Sequence, residues 1–357
     1  MLFTEDDLRG RFPSLAYRAS ALAYAVYLGK TFLAENTKLT YLRWLNDFLK
    51  FCADHGLNPE TLTKEDLQGY VNELKKRSPG QPDNVFSFDA NVGYANASLL
   101  VIVTSLRLYY DYLIEKSIRL DNPVGRGKYT PQLNWRMDTR GLPPRERPLV
   151  AREEKLIRIP SDAEWQEIMA VVQTETLRNR TMFTLGYDCA LRREELCLLR
   201  VTDIDPAFRA LQVRAETTKG HRGRALRYSE ETNALLMEYL HERRKVETGR
   251  GPLFLSESKR NRTQPITKWT WNKVIKSIQQ RSKVEEFTPH TLRHLRLTDL
   301  ARARWEIYEI AEFAGHRSHS TTLIYIHLSG RDIAERLEST TLKINERRLG
   351  VLKGVSK

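Results

Sequence analysis

Apolar residues in the first third of the chain recur every three or four positions, which is the spacing of one face of an α-helix. The clearest stretch covers residues 39–52 and predicts an amphipathic helix. A second helix is predicted over residues 67–75, after a capping sequence that begins at Thr63. A third, over residues 97–115, carries apolar side chains on more than one face. We therefore expect residues from about 20 to 125 to form a small helical bundle.

The periodic pattern is lost between residues 126 and 158. This segment holds four prolines and nine basic residues against four acidic ones. Its composition is typical of a solvated linker, and its charge would equally suit a strap that runs along a row of phosphates. Both interpretations stay open, because a linker between two domains that clamp a polyanion would be both. The candidate phosphate contacts in this segment are Arg126, Lys128, Arg136 and Arg140.

A second periodic region opens at Ser161, which with Glu164 forms a capping sequence for a helix over residues 165–172. Another helix is predicted over residues 176–187. Three short runs typical of strands follow, separated by turn residues: 201–204, 210–214 and 225–228. Helices are predicted again over two later segments, 229–242 and from residue 267 onward. The pattern predicts a mostly helical second domain with one small antiparallel sheet.

Length and composition agree with two globular domains. At 357 residues the chain is too long for one ordinary domain. Its hydrophobic content is 41%, and no run approaches the roughly eighteen apolar residues that a membrane span requires. The acidic N-terminus lacks the layout of a signal peptide. Cys52, Cys189 and Cys197 lie far apart, which favours buried thiols in a cytoplasmic protein over a disulfide or zinc framework.

The net charge of +13 favours a polyanionic partner. Nucleic acid is the first candidate, because neutralising several phosphates releases counterions and drives binding. A basic balance alone does not define a function, so the chemistry has to be argued from particular residues.

Two polar clusters near the C-terminus are the strongest candidates for chemistry. In the first, Thr288 is expected to cap a helix that begins at Pro289. His290 and Arg293 then lie one turn apart near the helix N-terminus, where free amides and the helix dipole favour an anion. The alternative for this cluster is a structural histidine beside a surface arginine.

The second cluster contains Gly315, His316 and Tyr325. Gly315 is expected to end one helix, and Ser318 or Ser320 to cap the next, which carries Tyr325 one to two turns in. A free tyrosine is a weak nucleophile at neutral pH, so it would need a phosphate already neutralised by arginines. The alternative for Tyr325 is a place in a hydrophobic core.

Two earlier segments share the theme of phosphate binding. Arg192 and Glu195 are three residues apart on a predicted helix, where the carboxylate would hold the planar guanidinium ready for phosphate oxygens. An ordinary surface ion pair is the alternative. Lys219 lies in a turn between two predicted strands, where it would either donate a proton to a leaving oxygen or stay solvated. Arg222 and Arg224 follow it and are further candidate phosphate contacts.

In their order and spacing these residues resemble one known family. Five segments of this chain resemble the catalytic domain of tyrosine recombinases of the lambda-integrase type. They are A-L-R-x-x-E-L around Arg192, a hairpin Lys219, H-T-L-R at 290–293, G-H-x-S at 315–318 and T-T-x-x-Y-x-H at 321–327. The helical bundle upstream resembles that family's core-binding domain. Two departures are Ala190, where the family often has glycine, and Arg296, where a small or apolar residue is more common.

The resemblance implies a catalytic set in which each residue has one role. Arg192 and Arg293 would clamp a DNA phosphodiester, and His316 would add a third hydrogen bond. Glu195 would support Arg192. Tyr325 would attack phosphorus with assistance from His290. Lys219 would protonate the departing 5′-oxygen, which leaves a 3′-phosphotyrosyl link. The complete set is Arg192, Lys219, His290, Arg293, His316 and Tyr325.

The resemblance also implies cofactors, partners and domains. The phosphotyrosyl link keeps the energy of the phosphodiester, so we expect no ATP, metal or other cofactor, and no P-loop motif is present in the sequence. The expected partners are double-stranded DNA recombination sites and a homotetramer on two of them, without a membrane; the need for accessory proteins is open. The expected domains are a core DNA-binding bundle, a basic linker, a catalytic domain and a tail that docks on a neighbouring protomer: 1–125, 126–158, 159–330 and 331–357.

Three alternatives belong to other classes. A type IB topoisomerase-like enzyme would share the tyrosine chemistry, but the Gly315-His316 motif and the upstream bundle disfavour it. A DNA-binding regulator without catalysis is disfavoured because every expected side chain is present. A zinc hydrolase is disfavoured because its candidate ligands lack a spacing such as H-E-x-x-H. Those ligands would be His290, His294, His316, His319 and His327.

Overall fold

In the computed structural model the described residues are 4–77, 93–125, 148–151, 157–218 and 222–329. The chain divides into two compact units, Met1–Lys155 and Leu156–Lys357. Each unit has its own hydrophobic core. The described elements are mainly helices, with one three-stranded antiparallel sheet. The predicted fold class, mainly α with a small antiparallel sheet, is thereby confirmed.

The described part of the first unit is a helical bundle. Helix α4 packs along α6, and α2 and α3 also pack against these two. Aromatic rings fill the space between the helices: Phe48 meets Tyr70 with 5.2 Å between ring centroids, and Tyr24 meets Tyr109 at 5.5 Å. The helices described in this unit are α1 Glu5–Arg11, α2 Pro13–Ala16, α3 Ala19–Gly29, α4 Glu35–Asp54, α5 Lys64–Lys76 and α6 Asn96–Glu115.

Local signals predict α4, α5 and α6, but none of the helices before residue 20. The capping sequence is confirmed, since the Thr63 backbone N–H donates to Asp66 Oδ2 at 2.8 Å and the Asp66 N–H donates to Thr63 Oγ1 at 3.3 Å. Helices α1 and α2 are too short to be stable alone. They are stabilised by burial of Leu8 and Leu15, whose exposed fractions are 0%.

Helix α6 is, among the described helices, the one that is long and apolar enough to span a membrane by length and composition. Its apolar residues lie in the core of the first unit, where Leu99, Ile102, Leu106 and Leu113 are all buried. Burial on several faces is what the central helix of a globular bundle shows.

The second unit surrounds a small sheet with helices. Strands β1 Ile204–Asp205, β2 Ala210–Val213 and β3 Arg224–Arg227 lie in that order, with Leu211 opposite Ile204 on one side and Leu226 on the other. Helices α8 and α10 pack together, as do α7 and α11. The helices described in this unit are α7 Asp162–Gln173, α8 Leu177–Asp188, α9 Arg193–Cys197, α10 Glu230–Arg244, α11 Lys268–Ser282, α12 Pro289–Arg302, α13 Ile307–Ala314 and α14 Ser320–Ser329.

The structure confirms one capping signal here and corrects one strand. Ser161 and Glu164 form the predicted capping box at the start of α7. The predicted strand over 201–204 is wrong for Val201–Asp203, which form a 3₁₀ turn. The cause is the buried Asp203 carboxylate, which accepts the Arg200 backbone N–H at 2.8 Å and closes the turn. Short acidic side chains that bond to a nearby backbone compete with a strand in this way.

Several sequence predictions lie outside the described residues. They concern most of the basic linker, the turn between β2 and β3, and the C-terminal tail. The residues involved are Arg126, Lys128, Arg136, Arg140, Lys219 and the segment 330–357.

Candidate active site

Four segments of the second unit meet around one cluster of guanidinium and imidazole groups. They are the start of α9, the first turns of α12, the residues that follow α13, and α14. The sequence-predicted residues on these segments are Arg192, His290, Arg293, His316 and Tyr325.

The ends of the helices are set by local residues. Thr288 caps α12 by accepting the Thr291 N–H at 3.3 Å, and Pro289 is the first helical residue, as predicted. Gly315 ends α13 with φ of 64°, a left-handed conformation that costs glycine little because it lacks a Cβ atom. Helix α14 begins at Ser320. These ends fix where the segments that carry the imidazoles and Tyr325 begin.

Glu195 is the buried anchor of two arginines. Its side chain is 1% exposed and accepts Arg192 Nη1 at 2.7 Å and Arg224 Nη2 at 2.8 Å. Burial raises the pKa of Glu195, but the hydrogen bonds and charges of Arg224 and Arg192 outweigh it and lower the pKa to about 2. The carboxylate is therefore ionised at neutral pH, and the alternative of a surface ion pair does not apply. Arg192 itself precedes α9 as its N-cap instead of lying on a helix face.

Three consecutive carbonyl groups at the end of α13 each accept a hydrogen bond from a different arginine. Carbonyls at a helix C-terminus lack partners within the helix and carry the negative end of its dipole. They are therefore suitable acceptors for guanidinium groups. The three bonds are Arg224 Nε to Phe313 O at 2.9 Å, Arg293 Nη2 to Ala314 O at 2.6 Å, and Arg192 Nη2 to Gly315 O at 3.1 Å.

Arg293 is almost completely buried, with an exposed fraction of 2%. Besides Ala314, it donates from Nη1 to the carbonyl oxygen of Ala190 at 2.6 Å. Burial, followed by the charge of Arg192, lowers the pKa of Arg293 to about 9, so the guanidinium stays charged at neutral pH. Ala190 has φ of 44°, in the left-handed region that favours glycine. The family's frequent glycine at this position is therefore explained by the backbone, since the left-handed conformation that Ala190 adopts favours glycine.

His316 is neutral, and its tautomer follows from its two partners. Its Nε2 lies 3.0 Å from Arg293 Nη2, and its Nδ1 lies 2.9 Å from Thr322 Oγ1. A guanidinium only donates, so Nε2 accepts and Nδ1 carries the proton that it donates to Thr322. Burial, together with Arg293 and Arg192, lowers the pKa of His316 to about 3.

Tyr325 is both a core residue and a neighbour of the charged cluster. Its side chain is 3% exposed and packs in a small cluster that includes Leu297, Leu300 and Ile310. Its ring is stacked with that of His316, 6.1 Å between centroids and 10° between planes. Burial raises the pKa of Tyr325, and the charges of Arg293 and Arg192 oppose that rise. The two interpretations of Tyr325, core residue and site residue, are therefore compatible.

The Tyr325 hydroxyl contacts a histidine outside the expected catalytic set. His294 Nδ1 lies 2.9 Å from Tyr325 Oη. His290, the residue expected to assist Tyr325, has its ring 5.1 Å from the ring of His294, one turn later on α12. Burial and the charges of Arg293 and Arg192 lower the pKa of His290. A sequence signal for His294 does exist, because it directly follows Arg293 and lies four residues after His290 on one helix.

Arg222 and Arg224, the two candidate phosphate contacts after Lys219, differ in their surroundings. Arg222 is exposed, and its backbone N–H donates to Thr218 Oγ1 at 2.9 Å. Arg224, expected as a further phosphate contact, has a side chain that is 7% exposed, and its donors bind Glu195 and the carbonyl oxygen of Phe313. Its observed task is to hold the anchor carboxylate.

The second departure from the family pattern lies away from the charged cluster. The Arg296 guanidinium lies over the ring of Tyr187, with its carbon 5.3 Å from the ring centroid. Attraction between a cation and an aromatic ring favours that placement. The Tyr187 hydroxyl donates to Asp299 at 2.8 Å, so Arg296 packs beside a separate polar pair.

The arrangement suits an anion. Three guanidinium groups lie around one carboxylate, so positive charge prevails in the described cluster. Burial first, and then neighbouring positive charge, lowers the pKa of His294 to about 4 and that of His316 to about 3, so both imidazoles are neutral. A cleft of about 910 Å³ opens beside His316, between β3 and α13. Across the described ranges, no group of three or more His, Cys, Asp or Glu side chains could hold a metal ion. Planar guanidinium groups held by fixed acceptors are suited to phosphate oxygens.

Comparison with known proteins identifies the family. The phage integrase family matches residues 161–331, and the phage integrase N-terminal SAM-like domain matches residues 25–117. A tyrosine recombinase, XerA of Pyrococcus furiosus, is 25% identical over 324 residues, which cover 90% of this chain and 94% of that protein.

Solved structures show the same fold. The XerH site-specific recombinase bound to a palindromic difH substrate aligns with a TM-score of 0.63 and 17% identity, covering 95% of this chain and 89% of that one. The Tn1549 transposon integrase in complex with circular intermediate DNA aligns with a TM-score of 0.60 and 16% identity, covering 83% and 91%. With both family domains matched in order, the chain belongs to the tyrosine recombinase family, also called the phage integrase family.

Proposed function

We propose that this protein is a site-specific DNA recombinase that cleaves and rejoins double-stranded DNA through a 3′-phosphotyrosyl intermediate. The observation that carries the proposal is the gathering of Arg192, Arg293 and His316 beside the buried Tyr325. These are the residue types that the family resemblance assigns to phosphate binding and nucleophilic attack. Membership in the family supports strand exchange as the class of reaction.

The two arginines would clamp the phosphodiester. Glu195 and the end of α13 hold both guanidinium groups before DNA arrives, so little reorganisation is needed when a phosphate binds. Both groups would stabilise the additional negative charge of the transition state. His316 would add a third hydrogen bond, for which it needs the tautomer that carries the proton on Nε2, since Nε2 accepts from Arg293 in this structure.

Tyr325 would be the nucleophile. The bond from its oxygen to phosphorus would form while the bond from phosphorus to the 5′-oxygen breaks, and Lys219 would give the leaving oxygen its proton. A 5′-hydroxyl of a second strand would then attack the phosphotyrosyl link and release Tyr325. By the family resemblance, His290 would assist Tyr325. In the described contacts its ring reaches His294 and not the Tyr325 hydroxyl.

The substrate would be a pair of DNA recombination sites. The net charge of +13 suits phosphate binding, and basic residues of the linker and the β2–β3 turn are the candidate contacts. We propose residues 1–125 as the core-binding domain and 159–330 as the catalytic domain, joined by the linker 126–158. A homotetramer on two sites, acting in the cytoplasm, completes the proposal. Integration, transposition and resolution of joined chromosomes would all use this chemistry.

The nucleophile can be tested with a nicked duplex that traps the covalent complex. The duplex is first selected by the parent protein from nicked DNA of randomised sequence, by recovery of DNA that stays bound in detergent. Tyr325→Phe should lose the covalent complex and retain DNA binding, because only the attacking hydroxyl is removed. A covalent complex of normal yield from Tyr325→Phe would contradict the proposed nucleophile.

A further inference from the structure

We infer that His294 is a catalytic residue that accepts the proton of the Tyr325 hydroxyl as that oxygen attacks the DNA phosphate. The inference rests on the proposed function, and it assigns the proton acceptor to the residue that follows Arg293. The family resemblance in the sequence pointed to His290 for this task.

Distances single out His294 among the three imidazoles near Tyr325. Its Nδ1 is 2.9 Å from Tyr325 Oη, which is hydrogen-bond distance. Both ring nitrogens of His316 contact other groups, Arg293 and Thr322, so His316 stacks on the tyrosine ring without receiving its proton.

The protonation states agree with the direction of transfer. Burial, His290 and Arg293 lower the pKa of His294 to about 4, so its imidazole is neutral at pH 7 and can accept. Burial raises the pKa of Tyr325, so the hydroxyl is protonated at pH 7 and has a proton to transfer. In the tautomer of the neutral His294 ring that carries its proton on Nε2, the hydroxyl donates to Nδ1, and this is the tautomer that the proton transfer requires.

Helix α12 places the two functions on different sides. Consecutive helical residues point about 100° apart, because one turn holds about 3.6 residues. Arg293 reaches the carbonyls of Ala190 and Ala314, and His294 reaches α14 and the tyrosine. A single helix thus carries a phosphate-binding group and the proton acceptor next to each other.

The step balances without another reactant. As the Tyr325 oxygen bonds to phosphorus, its proton passes to His294 Nδ1, and the departing 5′-oxygen takes a proton from Lys219. On rejoining, the 5′-hydroxyl attacks phosphorus and passes its proton back to the neutral Lys219, while the His294 imidazolium returns its proton to the departing tyrosine oxygen. A bound phosphate would favour this imidazolium, because its negative charge offsets Arg293, whose charge lowers the His294 pKa.

Two substitutions separate proton transfer from positioning. His294→Asn places an amide oxygen near the position of Nδ1, so it can still accept a hydrogen bond from Tyr325 but cannot hold a proton at neutral pH. His294→Ala removes the ring and leaves space. Cleavage is measured in single turnover on the nicked duplex selected by the parent, with DNA binding and thermal unfolding measured beside it. Tyr325→Phe serves as the inactive reference.

We expect both variants to bind DNA and to cleave at least about a hundredfold more slowly than the parent, the usual range for loss of a general base. Added imidazole should restore part of the rate of His294→Ala, with a dependence on the neutral form of imidazole. A merely structural role would not produce that rescue.

Two results would overturn the inference. One is cleavage by His294→Asn within about threefold of the parent, since a hydrogen bond alone would then suffice. The other is a His294→Ala protein that folds, binds DNA and is not rescued by imidazole. If the parent itself forms no covalent complex with any duplex of the randomised pool, the proposed function fails first, and the inference fails with it.

Discussion

At the scale of single residues, the buried charge of Arg293 depends on backbone carbonyls that accept its hydrogen bonds. Arg293 is 2% exposed, and its guanidinium donates to Ala190 and Ala314 from different nitrogens. A buried charge without such partners would be strongly destabilising. The planar geometry of the group, and not its charge alone, is therefore adapted to this position.

Arg293→Lys should accordingly lose cleavage by about a hundredfold or more, as when one preorganised donor to a developing charge is removed. An ammonium group keeps the charge but cannot span two carbonyls and phosphate oxygens. The measurement is the single-turnover cleavage rate on the selected nicked duplex. Arg209→Lys is the matched control, because Arg209 is 49% exposed and pairs loosely with Glu230 at 3.6 Å. Cleavage by Arg293→Lys within about threefold of the parent would make the arginine structural.

Lys219 can be tested through the leaving group. Lys219→Ala should cleave normal DNA slowly, because the 5′-oxygen would leave without a proton. The same variant should recover on a substrate whose bridging 5′-oxygen is replaced by sulfur, since a thiolate leaves without protonation. The rates on the two substrates are compared for variant and parent. Equal defects on both would identify Lys219 as a DNA contact.

Contacts between residues close in the chain could be predicted from the sequence. Arg192 and Glu195 are three apart, and their pairing was predicted. Arg224 joins the same carboxylate from 29 residues away, and His294 meets Tyr325 from 31 residues away. Such contacts are set by how strands and helices pack, so neither spacing nor periodicity could predict them.

At the scale of elements, helix ends do most of the positioning. Capping residues indicated where α5, α7 and α12 begin, because a side chain that satisfies free backbone amides is visible in the sequence. Helices α5 and α7 begin at Lys64 and Asp162, three residues before the predicted starts. The short helices α1 and α2 depend on burial, which the sequence does not display. The 3₁₀ turn at Val201–Asp203 depends on the bond between the Arg200 backbone and the Asp203 carboxylate, which the apolar pattern of a strand does not show. The end of α13 is the element most closely tied to the site, since its last carbonyls hold the arginines.

Gly315→Ala tests that helix end. Any Cβ at φ of 64° is strained, and this one would lie 3.0 Å from Arg224 Nη1, whose guanidinium is held by Glu195. We expect a loss of about 1–2 kcal/mol in the free energy of unfolding from the left-handed backbone, and in addition slower cleavage. Thermal unfolding and the cleavage rate are the measurements.

The matched control for this helix end is Gly56→Ala. Gly56 has φ of 65°, but a Cβ there would meet no atom within 4 Å. It should share the loss of stability without the loss of cleavage. Equal cleavage rates for the two alanine variants would show that the α13 end does not position the arginines.

At the scale of the whole molecule, two units and a strongly basic charge fit a protein that holds DNA. The match of two family domains in order accounts for the division of the chain into two units. Length and composition alone indicated only that two domains were expected and that the charge is basic. The tail beyond the described residues carries a predicted apolar stripe over Ile333, Ala334, Leu337, Thr341 and Ile344. We propose that this segment docks on a neighbouring protomer.

Truncation after Gly330 should spare binding to a single DNA site and weaken the assembly of two sites and strand exchange. The physical reason is that an apolar stripe contributes binding energy only when it is covered. Native gel shifts and recombination assays are run side by side on the truncated and full chains. Unchanged higher-order complexes with full recombination would contradict docking between protomers.

The measurement that tests the central claim most directly is the chemical identity of the covalent complex. The parent is trapped on the selected nicked duplex, digested with protease and nuclease, and the modified peptide is sequenced by mass spectrometry. We predict a nucleotide joined through its 3′-phosphate to Tyr325. A link through a 5′-phosphate, attachment to another residue, or no covalent complex would contradict the account.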